Sequence, residues 1–567
     1  MEIAGTGNYG SWDKDSATNY SEDCNTFTWT GATDSNWITN GNWSYNQTPS
    51  NSNNITIPNV ANQPVISSGV MAEINDLTIE ALGSFDISDG GTVVVNGNFS
   101  TTETINIQSS ATTSGTFIVK GTANGMVTFE RSGLEANKWS MVTAPVSGQS
   151  VKQFVENSAN DIRINTTVTP NRYAVGHYDD SRADGTKWVY YTVDDLASDT
   201  VTFEEGKSYI VSRETNGSVT FTGTLQTNDL SVGVAAEQWN AIGSPYTAYL
   251  PINNNSDVNF IQENLSKFDP AYVGVYVWDN DQNKYVAKTL VSAVTSLTVG
   301  QGFFVKTGTG VTTMDFSEEQ RLHNGAEVAA FSRGTNSEIP TIQIIAEQGG
   351  VAVDTNIKYV ANTTKGLDAG YDIGNFGGNT FDVFTHLVES PENKDFTIQS
   401  LPNSDFDTTV IPLGFISEAD KEIKLSINTI ALPSEVKVYI EDRATGDFTE
   451  IGAGSSYSFT TTSKLTGIGR FYIHTSAKVL DIEDVASVNG TVEIFKSGNQ
   501  EVTIKGLEQG EVAIVKLYSV LGSEIYSSKI VGDTMNKITP DVLETGIYIV
   551  RVEGTAGITS KKIVFNK

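Results

Sequence analysis

Three tryptophans near the start of the sequence could form a sugar-binding surface. Trp29, Trp37 and Trp43 lie among Gly, Asn and Thr residues in the stretch TFTWTGATDSNWITNGNWSY. Exposed indole rings stack on the faces of sugars, so a glycan contact at these residues is one interpretation. The other interpretation is that the rings are buried and cap the end of a β-structure. The common use of aromatic side chains as hydrophobic bulk favours burial.

A second candidate site is a short polar turn that offers oxygen ligands at alternate positions. Asp279, Asp281 and Asn283 have the spacing that a calcium loop uses. The turn lacks the downstream glycine and the bidentate glutamate of an EF-hand, so an ordinary hairpin turn is favoured. We therefore predict no cofactor, with calcium at these three residues as the alternative.

The rest of the sequence gives little support to catalysis. Its four histidines are His177, His323, His386 and His474, and no HExxH or HxH spacing occurs among them. There is no GxSxG nucleophile elbow, no P-loop and no GxGxxG motif that opens a βα unit. A pair of glycosidase carboxylates leaves no sequence spacing to test, so a polysaccharide-active enzyme stays open as an alternative. We predict that the protein is not an enzyme.

Composition and charge exclude other classes of protein. The chain has 567 residues, with 36 Lys and Arg against 67 Asp and Glu, a net charge of −31 and a pI near 4.4. Such a field repels phosphate backbones and anionic lipid, which argues against nucleic-acid binding and peripheral membrane docking. Solubility is the favoured reason for this acidity, and cation binding is the alternative.

Cysteine content and hydropathy limit the possible classes of protein further. The single Cys24 excludes an intramolecular disulfide and a cysteine-based metal site. No apolar run has membrane-spanning length. The start MEIAGTGNYG is not a signal peptide, since no apolar core follows a charged start, and we expect the sequence to be a mature or trimmed form.

The elements that position these residues are predicted to be strands throughout. Fifty-one glycines, few prolines and no long helical periodicity fit an all-β chain of several domains. Residues 1–24 are predicted to be a flexible N-terminus. Residues 25–130 hold short apolar pairs such as Ile55/Ile57, Leu77/Ile79 and Val93/Val95, separated by turns. This pattern fits a sandwich or a parallel β-solenoid, and the very short strands favour the solenoid.

The middle of the sequence contains an internal duplication. Three landmarks occur twice in the same order: WSMVTAP (139–145) and WNAIGSP (239–245), VGHYD (175–179) and VYVWD (275–279), and GKSYIV (206–211) and GQGFFV (300–305). We therefore predict two β-sandwich repeats, at residues 131–232 and 233–322. Residues 323–478 are predicted to form a further β-sandwich that acts as a spacer, and residues 479–490 a linker.

The last stretch of the chain has the pattern of a small antiparallel β-module. Apolar residues lie on both faces of 512–517, which predicts a strand covered on each side. A turn at Leu521-Gly522 follows, and further strands are predicted near 524–530, 546–552 and 559–565. Nothing in this module has the character of a catalytic site.

The same stretch resembles a known family. Residues 491–567 look like the type A C-terminal sorting domain of proteins that the type IX secretion system of the Bacteroidota exports. The motif residues that carry the resemblance are Leu517, Tyr518, Gly522, Leu543, Gly546, Tyr548, Val550, Lys561, Lys562, Ile563 and Val564. Ser523 departs from the Arg or Lys that usually follows the glycine. The preceding region, 323–478, resembles the β-sandwich that often comes before such a domain.

The resemblance implies a destination and a set of partners. It implies an Ig-like sandwich bound by the shuttle protein and the translocon of the export system, and a location outside the cell or at its surface, associated with the outer membrane. For the remainder of the chain we predict a non-catalytic adhesin or glycan-binding protein. A secreted polysaccharide-active enzyme with the same tail is the alternative.

Overall fold

The structure is a computed structural model that divides into two compact units, Met1–Asn336 and Ser337–Lys567. The described residues are 25–253, 258–279, 284–323, 339–389, 393–404, 406, 409–452, 454–476, 492–498, 500–519, 523–540, 543, 546–555 and 557–565. Strands dominate both units, so the predicted all-β, multidomain class is confirmed. No helix in these ranges is long and apolar enough to cross a membrane.

The first unit begins with a stack of short strands. They are β1 (Thr26–Thr28), β2 (Asn54–Ile57), β3 (Val65–Ile66), β4 (Met71–Ile74), β5 (Leu77–Ile79), β6 (Asp86–Ile87), β7 (Thr92–Val95), β8 (Phe99–Ile107), β9 (Thr116–Val119) and β10 (Ala123–Leu134), with a 3₁₀ turn at Asn40–Asn42. Parallel pairing places β2, β5, β8 and β10 along one side, β3 and β6 along a second, and β4, β7 and β9 along a third.

Each coil of this stack repeats the coil before it. Ile55 pairs with Leu77, and Leu77 pairs with Phe99, in parallel register. All three side chains are buried inside the stack. At the corners, a Cβ on Gly91 or Gly115 would lie 2.6 or 2.7 Å from a carbonyl oxygen of the preceding coil, so only glycine allows such close stacking. This region is therefore a parallel β-solenoid, as predicted.

Two modules follow the solenoid within the first unit. The first comprises β11 (Trp139–Thr143), α1 (Val151–Glu156), β12 (Ile164–Asn165), β13 (Arg172–Tyr178), β14 (Trp188–Thr192), β15 (Ser208–Ser212) and β16 (Gly217–Thr224). The second comprises β17 (Leu230–Gly233), β18 (Trp239–Gly243), β19 (Leu250–Pro251), α2 (Phe260–Glu263), β20 (Val275–Asp279), β21 (Lys284–Lys288), β22 (Ser296–Leu297), β23 (Gly302–Lys306) and β24 (Thr313–Phe316), with 3₁₀ turns at Leu265–Lys267, Pro270–Tyr272 and Glu318–Gln320.

The two modules share one topology, as the repeated landmarks predict. Antiparallel strands run in the order β11-β15-β13-β14 in the first and β18-β23-β20-β21 in the second. The helix that follows β11 in the first module and β19 in the second is capped in the same way in each. The Ser150 side chain accepts from the Gln153 amide in α1, and the Asn259 side chain accepts from the Gln262 amide in α2.

The first module is continuous with the solenoid. Strand β10 pairs in parallel with β8 and antiparallel with β16, so it serves both regions. Phe129 of β10 and Phe221 of β16 are opposite each other and fully buried in the same core as the solenoid interior. The predicted boundary at residue 130 therefore falls inside a strand.

The second unit begins with an antiparallel-rich sheet. Its strands are β25 (Thr341–Gln348), β26 (Val351–Val360), β27 (Ile373–Gly374), β28 (Asp382–Thr385), β29 (Phe396–Pro402), β30 (Val410–Ser417), β31 (Glu422–Ile430), β32 (Lys437–Asp442), β33 (Asp447–Glu450), β34 (Ser456–Thr460) and β35 (Leu465–Ser476). Their order is β33-β32-β35-β30-β28-β29-β26-β25-β31-β34, with β27 paired to β29. Phe415 of β30 and Phe459 of β34 are distant in this order, yet their ring centroids are 5.6 Å apart. The sheet therefore folds over one core as a sandwich.

The C-terminal module has its own core. Its strands are β36 (Glu493–Gly498), β37 (Glu501–Lys505), β38 (Val512–Ser519), β39 (Glu524–Val531), β40 (Met535–Ile538), β41 (Gly546–Gly554) and β42 (Gly557–Phe565). They form two sheets, β36-β37-β40 and β39-β38-β41-β42, and Ile504 of the first packs with Val515 and Val550 of the second. The predicted Ig-like sandwich is confirmed. Sequence reasoning found β38, β39, β41 and β42 and missed the other three.

One expectation about β38 is wrong. Ala513, Val515 and Leu517 are fully buried, whereas Val512 is 60% exposed. Only one face of this strand is therefore covered, because the sandwich has two layers and each sheet turns its second face to solvent.

Candidate functional site

The motif residues of the C-terminal module divide between its interior and its surface. Leu517, Leu543, Tyr548, Val550 and Ile563 are all buried in the core, each less than 8% exposed. Their spacing in sequence is therefore a requirement of folding. Alternation along β38, β41 and β42 then fixes which neighbouring residues face outward.

The outward-facing motif residues share adjacent rows of the four-stranded sheet. Tyr518 pairs with Ile549, and Ile549 pairs with Lys562, so three strands contribute to one row. In the next row Ile547 pairs with Val564, which is 48% exposed. We call this surface of β39-β38-β41-β42 the outer face.

The remaining motif residues lie at its margins. Lys561 is exposed on the edge strand β42, and Gly546 begins β41 opposite Phe565. Gly522 lies outside the described residues.

The other end of the outer face is apolar, and its middle is charged. Val512 and Val531 are cross-strand partners that are 60% and 62% exposed. In the centre, Lys516 lies 3.7 Å from Glu524 and 4.0 Å from Glu553, and Arg551 lies 3.0 Å from Glu553. Exposed aliphatic side chains that lie together on one face can form part of a surface that another protein covers.

The three N-terminal tryptophans are buried, which confirms the favoured interpretation, and the alternative of a glycan contact at Trp29, Trp37 and Trp43 is wrong. Their exposed fractions are 0%, 1% and 3%. The rings pack on one another, with centroids 5.0 Å apart for Trp29 and Trp43 and 4.7 Å for Trp37 and Trp43. The indole of Trp43 donates to the Trp37 carbonyl at 2.9 Å, and that of Trp29 donates to the Asn62 carbonyl at 2.7 Å. These rings close the first end of the solenoid core and offer no face to a sugar.

The calcium prediction stays untested at two of its three residues. Asp279 ends β20 and pairs with Lys284 at the start of β21, which is the hairpin arrangement. Asp281 and Asn283 lie outside the described residues. Within the described ranges, no group of three or more His, Cys, Asp or Glu side chains is arranged to hold a metal ion.

The histidines have separate environments. His386 lies 2.8 Å from Asp395, and His474 lies 2.8 Å from Glu441. Burial lowers the pKa of His474, and Glu441 opposes this effect. His177 packs against Tyr191 at 5.7 Å, and burial lowers the pKa of His177 as well.

A surface cavity of about 370 Å³ was not predicted from the sequence. Its lining residues are Met71, Glu73, Val94, Ile118, Lys120, Glu318, Glu319, Arg321 and His323. Three of the solenoid strands and the end of the second module bring them together. No local motif could reveal this grouping, because the lining residues of the solenoid (71–120) and those of the second module (318–323) lie far apart in the sequence.

Comparison with protein families gives a match over most of the chain. A family model described as a domain of unknown function, DUF8693, matches residues 28–474. The chain belongs to the DUF8693 family. A second model, described as a secretion system C-terminal sorting domain, matches residues 473–566.

The DUF8693 region ends where the sorting domain begins. It takes in the solenoid, both repeated modules and the sandwich from β25 to β35. The sorting domain is the module from β36 to β42, so the resemblance found in the sequence is confirmed and this DUF8693 protein is a cargo of the type IX secretion system. Its destination is the cell surface or the extracellular space. Bacteroidota are the usual context for this system.

No curated protein matches this DUF8693 chain. Among solved structures, it is similar to a two-domain fibronectin type III segment of chicken tenascin, with 12% identity over 28% of this chain and 97% of that one, at a TM-score of 0.12. It is also similar to a tetra-tandem repeat from the extending region of a large adhesion protein, with 12% identity over 72% and 93% of the two chains and a TM-score of 0.12. A BSP domain of a biofilm-associated protein gives 8% identity over 78% and 96%, also at 0.12. These likenesses are too low to carry an argument about function.

Proposed function

We propose that this protein is a non-catalytic adhesin or glycan-binding protein that the type IX system displays at the cell surface. The observation that carries the proposal is the joining of a separately folded sorting domain to a passenger whose described residues form a solenoid, two repeated β-modules and a sandwich. Modules of this kind expose loops and strand faces that can bind other molecules.

Two acids of the passenger, Asp442 and Asp180, have the contacts of structural residues, which favours a non-catalytic role for them. The Asp442 side chain is 0% exposed, and Arg470 donates to its two oxygens at 2.8 and 2.6 Å. Asp180 accepts from Lys187 at 2.9 Å and from the Trp239 amide at 2.9 Å. Both carboxylates therefore hold strands in place.

A carboxyl group that its partners keep ionised in this way is a poor proton donor. Burial raises the pKa of Asp180, but hydrogen bonds from the Trp239 amide, Lys187 and Tyr178 bring it below the ordinary value. The same balance applies to Asp442: burial raises its pKa, but Arg470, the Ala444 amide and Tyr457 together bring it below the ordinary value. A general acid needs the opposite shift.

The outer face of the sorting domain is our proposed contact with the export machinery. It combines exposed aliphatic side chains with the outward motif residues Tyr518 and Lys562. Strands β39 and β42 are also sheet edges, and an exposed edge can add to the sheet of a partner. The outer-membrane shuttle and the translocon are the partners that we propose.

The second candidate function is a polysaccharide-active enzyme. The observation that favours it is the cavity on the solenoid, which three glutamates line: Glu73, Glu318 and Glu319. Two carboxylates on opposite sides of a sugar are the usual machinery of glycoside hydrolysis.

One experiment separates the two candidates. The full-length protein is applied to a glycan array, and its strongest ligands are then incubated with it in a reducing-sugar assay. Binding without release of reducing ends is the expected result. Turnover that Glu73→Gln or Glu319→Gln abolishes would replace the adhesin proposal with the enzyme.

A further inference from the structure

We propose that the cavity on the third side of the solenoid binds a single sugar residue of an uncharged glycan. This inference rests on the proposed function and assigns it a site. The cavity lies on the outward surface of β4, β7 and β9. Val94 and Ile118 are each 5% exposed there and pack into the core of the second module, while Met71 is 48% exposed and supplies the accessible apolar surface. Sugars present a flat C–H face that packs on such apolar atoms.

One wall of the cavity is a polar ladder across three coils. The Asn96 amide donates to a Glu73 carboxylate oxygen at 3.1 Å, and Lys120 donates to the Asn96 carbonyl oxygen at 2.7 Å. The ladder places the Glu73 carboxylate and the Lys120 ammonium group on either side of Asn96. Because each has hydrogen-bonding capacity beyond this contact, the pair can accept from one sugar hydroxyl and donate to the next.

The facing wall comes from the second module and is fixed in place. The Arg321 side chain is only 6% exposed, and it donates to the Val119 carbonyl at 2.7 Å and to the Glu318 carbonyl at 2.7 Å. The carbonyl of His323 accepts from the hydroxyls of Thr92 and Thr116 at 3.1 Å each. The wall is therefore tied to the solenoid surface before any ligand arrives, as in most ligand sites.

Glu319 supplies the remaining acceptor. Its side chain is exposed at the rim, and it has no hydrogen-bond or ion-pair partner among the residues that the structure describes. Glu318, by contrast, is paired with Arg321 at 3.4 Å. This free carboxylate of the second module, together with Glu73 of the solenoid, gives the cavity acceptors from two parts of the chain.

The charge of the lining selects the class of ligand. Glu73, Glu318 and Glu319 outnumber Lys120 and Arg321, and the whole protein carries −31. This balance repels uronates and sulfated sugars, so a neutral hydroxyl-rich ligand is favoured. The volume is at the lower end of the range of ligand pockets, which suits one sugar residue of a longer chain.

The test uses titration calorimetry of the full-length protein with soluble mannan, xylan and laminarin as neutral probes and alginate as an anionic probe. We expect at least one neutral probe to bind and alginate not to. Glu319→Ala and Lys120→Ala should each weaken that binding by about tenfold, since each removes a charge-assisted hydrogen bond. Glu205→Ala is the matched control, because Glu205 is exposed elsewhere on the same unit, and it should bind as wild type does.

The outcomes distinguish the site from the function. If Glu319→Ala and Lys120→Ala both bind the neutral glycan as strongly as wild type does, this site is overturned. The proposed function would then still stand. Binding of alginate in preference to the neutral probes would also overturn it. No binding of any of the four probes by the wild-type protein would overturn this site, and the glycan array then decides the proposed function separately. Circular dichroism of each variant establishes that a loss of binding is not a loss of fold.

Discussion

The amide of Thr143 donates to the carbonyl of Gly300 at 3.0 Å, which joins the first repeated module to the second. The equivalent contact runs in the other direction, since the Gly243 amide donates to the Gly206 carbonyl at 3.0 Å. Thr143 and Gly243 occupy matching positions in the two copies, as do Gly206 and Gly300. The duplicated modules therefore meet about a local two-fold axis, in the way that two identical subunits would.

The close approach at this axis predicts a large effect of Gly243→Ala. A Cβ on Gly243 would lie 2.1 Å from the Thr143 hydroxyl oxygen and 2.8 Å from its Cβ. Overpacking of this kind costs about 1–3 kcal/mol, so the variant should lose that much free energy of unfolding. All eight tryptophans lie in the first unit, and urea unfolding followed by tryptophan fluorescence therefore reports on this unit.

The matched control is Gly233→Ala. Gly233 also lies in a strand of the second module, and nothing is within 4 Å of the Cβ that alanine would add. We expect its unfolding midpoint to stay close to that of wild type. Equal midpoints for the two variants would mean that the two sheets do not pack as closely as the distances indicate.

How much the sequence could predict differs between local and distant features. The strands of the sorting domain follow from alternation and turns, and their bounds agree with β38, β39, β41 and β42 to within a few residues. The cavity does not follow, because Glu73 and Glu319 belong to elements that only the docking of the second module on the solenoid brings together. Whether the tryptophans are buried or exposed also depends on the fold. An indole ring is amphipathic, and only packing decides which side of it faces water.

Replacement of Trp43 tests the cap on the solenoid. Trp43 is 3% exposed and contacts both Trp29 and Trp37. Trp43→Ala should lower the free energy of unfolding by about 3–5 kcal/mol, as removal of a buried aromatic ring usually does. Tyr45→Ala is the control, because Tyr45 is 44% exposed and packs on the same cluster through Phe27. Thermal unfolding monitored by circular dichroism measures both, and a Trp43 variant as stable as the Tyr45 variant would contradict the cap.

The Asp442 and Arg470 pair should be essential to the stability of the second unit. Asp442→Asn leaves a guanidinium without its carboxylate, and breaking a buried ion pair costs about 3–5 kcal/mol. Glu418→Gln breaks the Glu418 and Lys464 pair instead, in which both side chains are more than half exposed, and should cost less than about 1 kcal/mol. Scanning calorimetry of the full chain, with the first unit assigned by tryptophan fluorescence, measures the two changes. Similar losses in both would refute the buried role.

The pH dependence of Asp442 has a defined sign. Its pKa in the folded state is below the ordinary value of 3.8, because Arg470 and the Ala444 amide outweigh burial. The stabilising contribution is therefore fully present above the ordinary pKa and is lost as the pH falls through the lower folded value. The difference in stability between wild type and Asp442→Asn should be constant at neutral pH and shrink only in strong acid.

Asp372 should act in the opposite direction. It is 0% exposed, and burial raises its pKa from 3.8 to about 7, although the amides of Ser400 and Asp368 both donate to it at 2.6 Å. The folded protein keeps this proton while the unfolded chain releases it, so the contribution to stability is fully present below pH 3.8 and is lost as the pH rises to about 7. The linkage amounts to up to about 4 kcal/mol.

Calorimetric scans between about pH 4 and 8 test the predicted loss of stability with rising pH. This range covers the interval between the ordinary pKa of 3.8 and the folded pKa of about 7. We subtract the free energy of unfolding of Asp372→Asn from that of wild type at each pH. This difference should fall as the pH rises toward neutral and stay constant above it. Glu422→Gln, at an exposed position of β31, should give no such difference. A flat difference profile for Asp372→Asn would mean that the carboxyl group is ionised throughout.

The outer face of the sorting domain predicts how export fails. Removal of residues 491–567 should leave the passenger folded and stranded in the periplasm, since the passenger has separate cores. Tyr518→Ala with Lys562→Glu should also strand the protein while the sandwich stays folded, because both residues face outward in one row of the sheet. Val550→Asp should have the same effect on export for a different reason, since burial of a charge unfolds the domain.

Fractionation of cells that express each variant measures the outcome, and circular dichroism of the purified proteins separates a lost contact from a lost fold. The control pair is Tyr371→Ala with Lys421→Glu, which makes the same changes at exposed positions of the passenger sandwich. It should reach the surface as wild type does. Normal surface display of the protein with Tyr518→Ala and Lys562→Glu would show that the machinery binds another part of the domain. The next candidate is β39, because it is an edge strand of the sheet and an edge can pair with a strand of a partner.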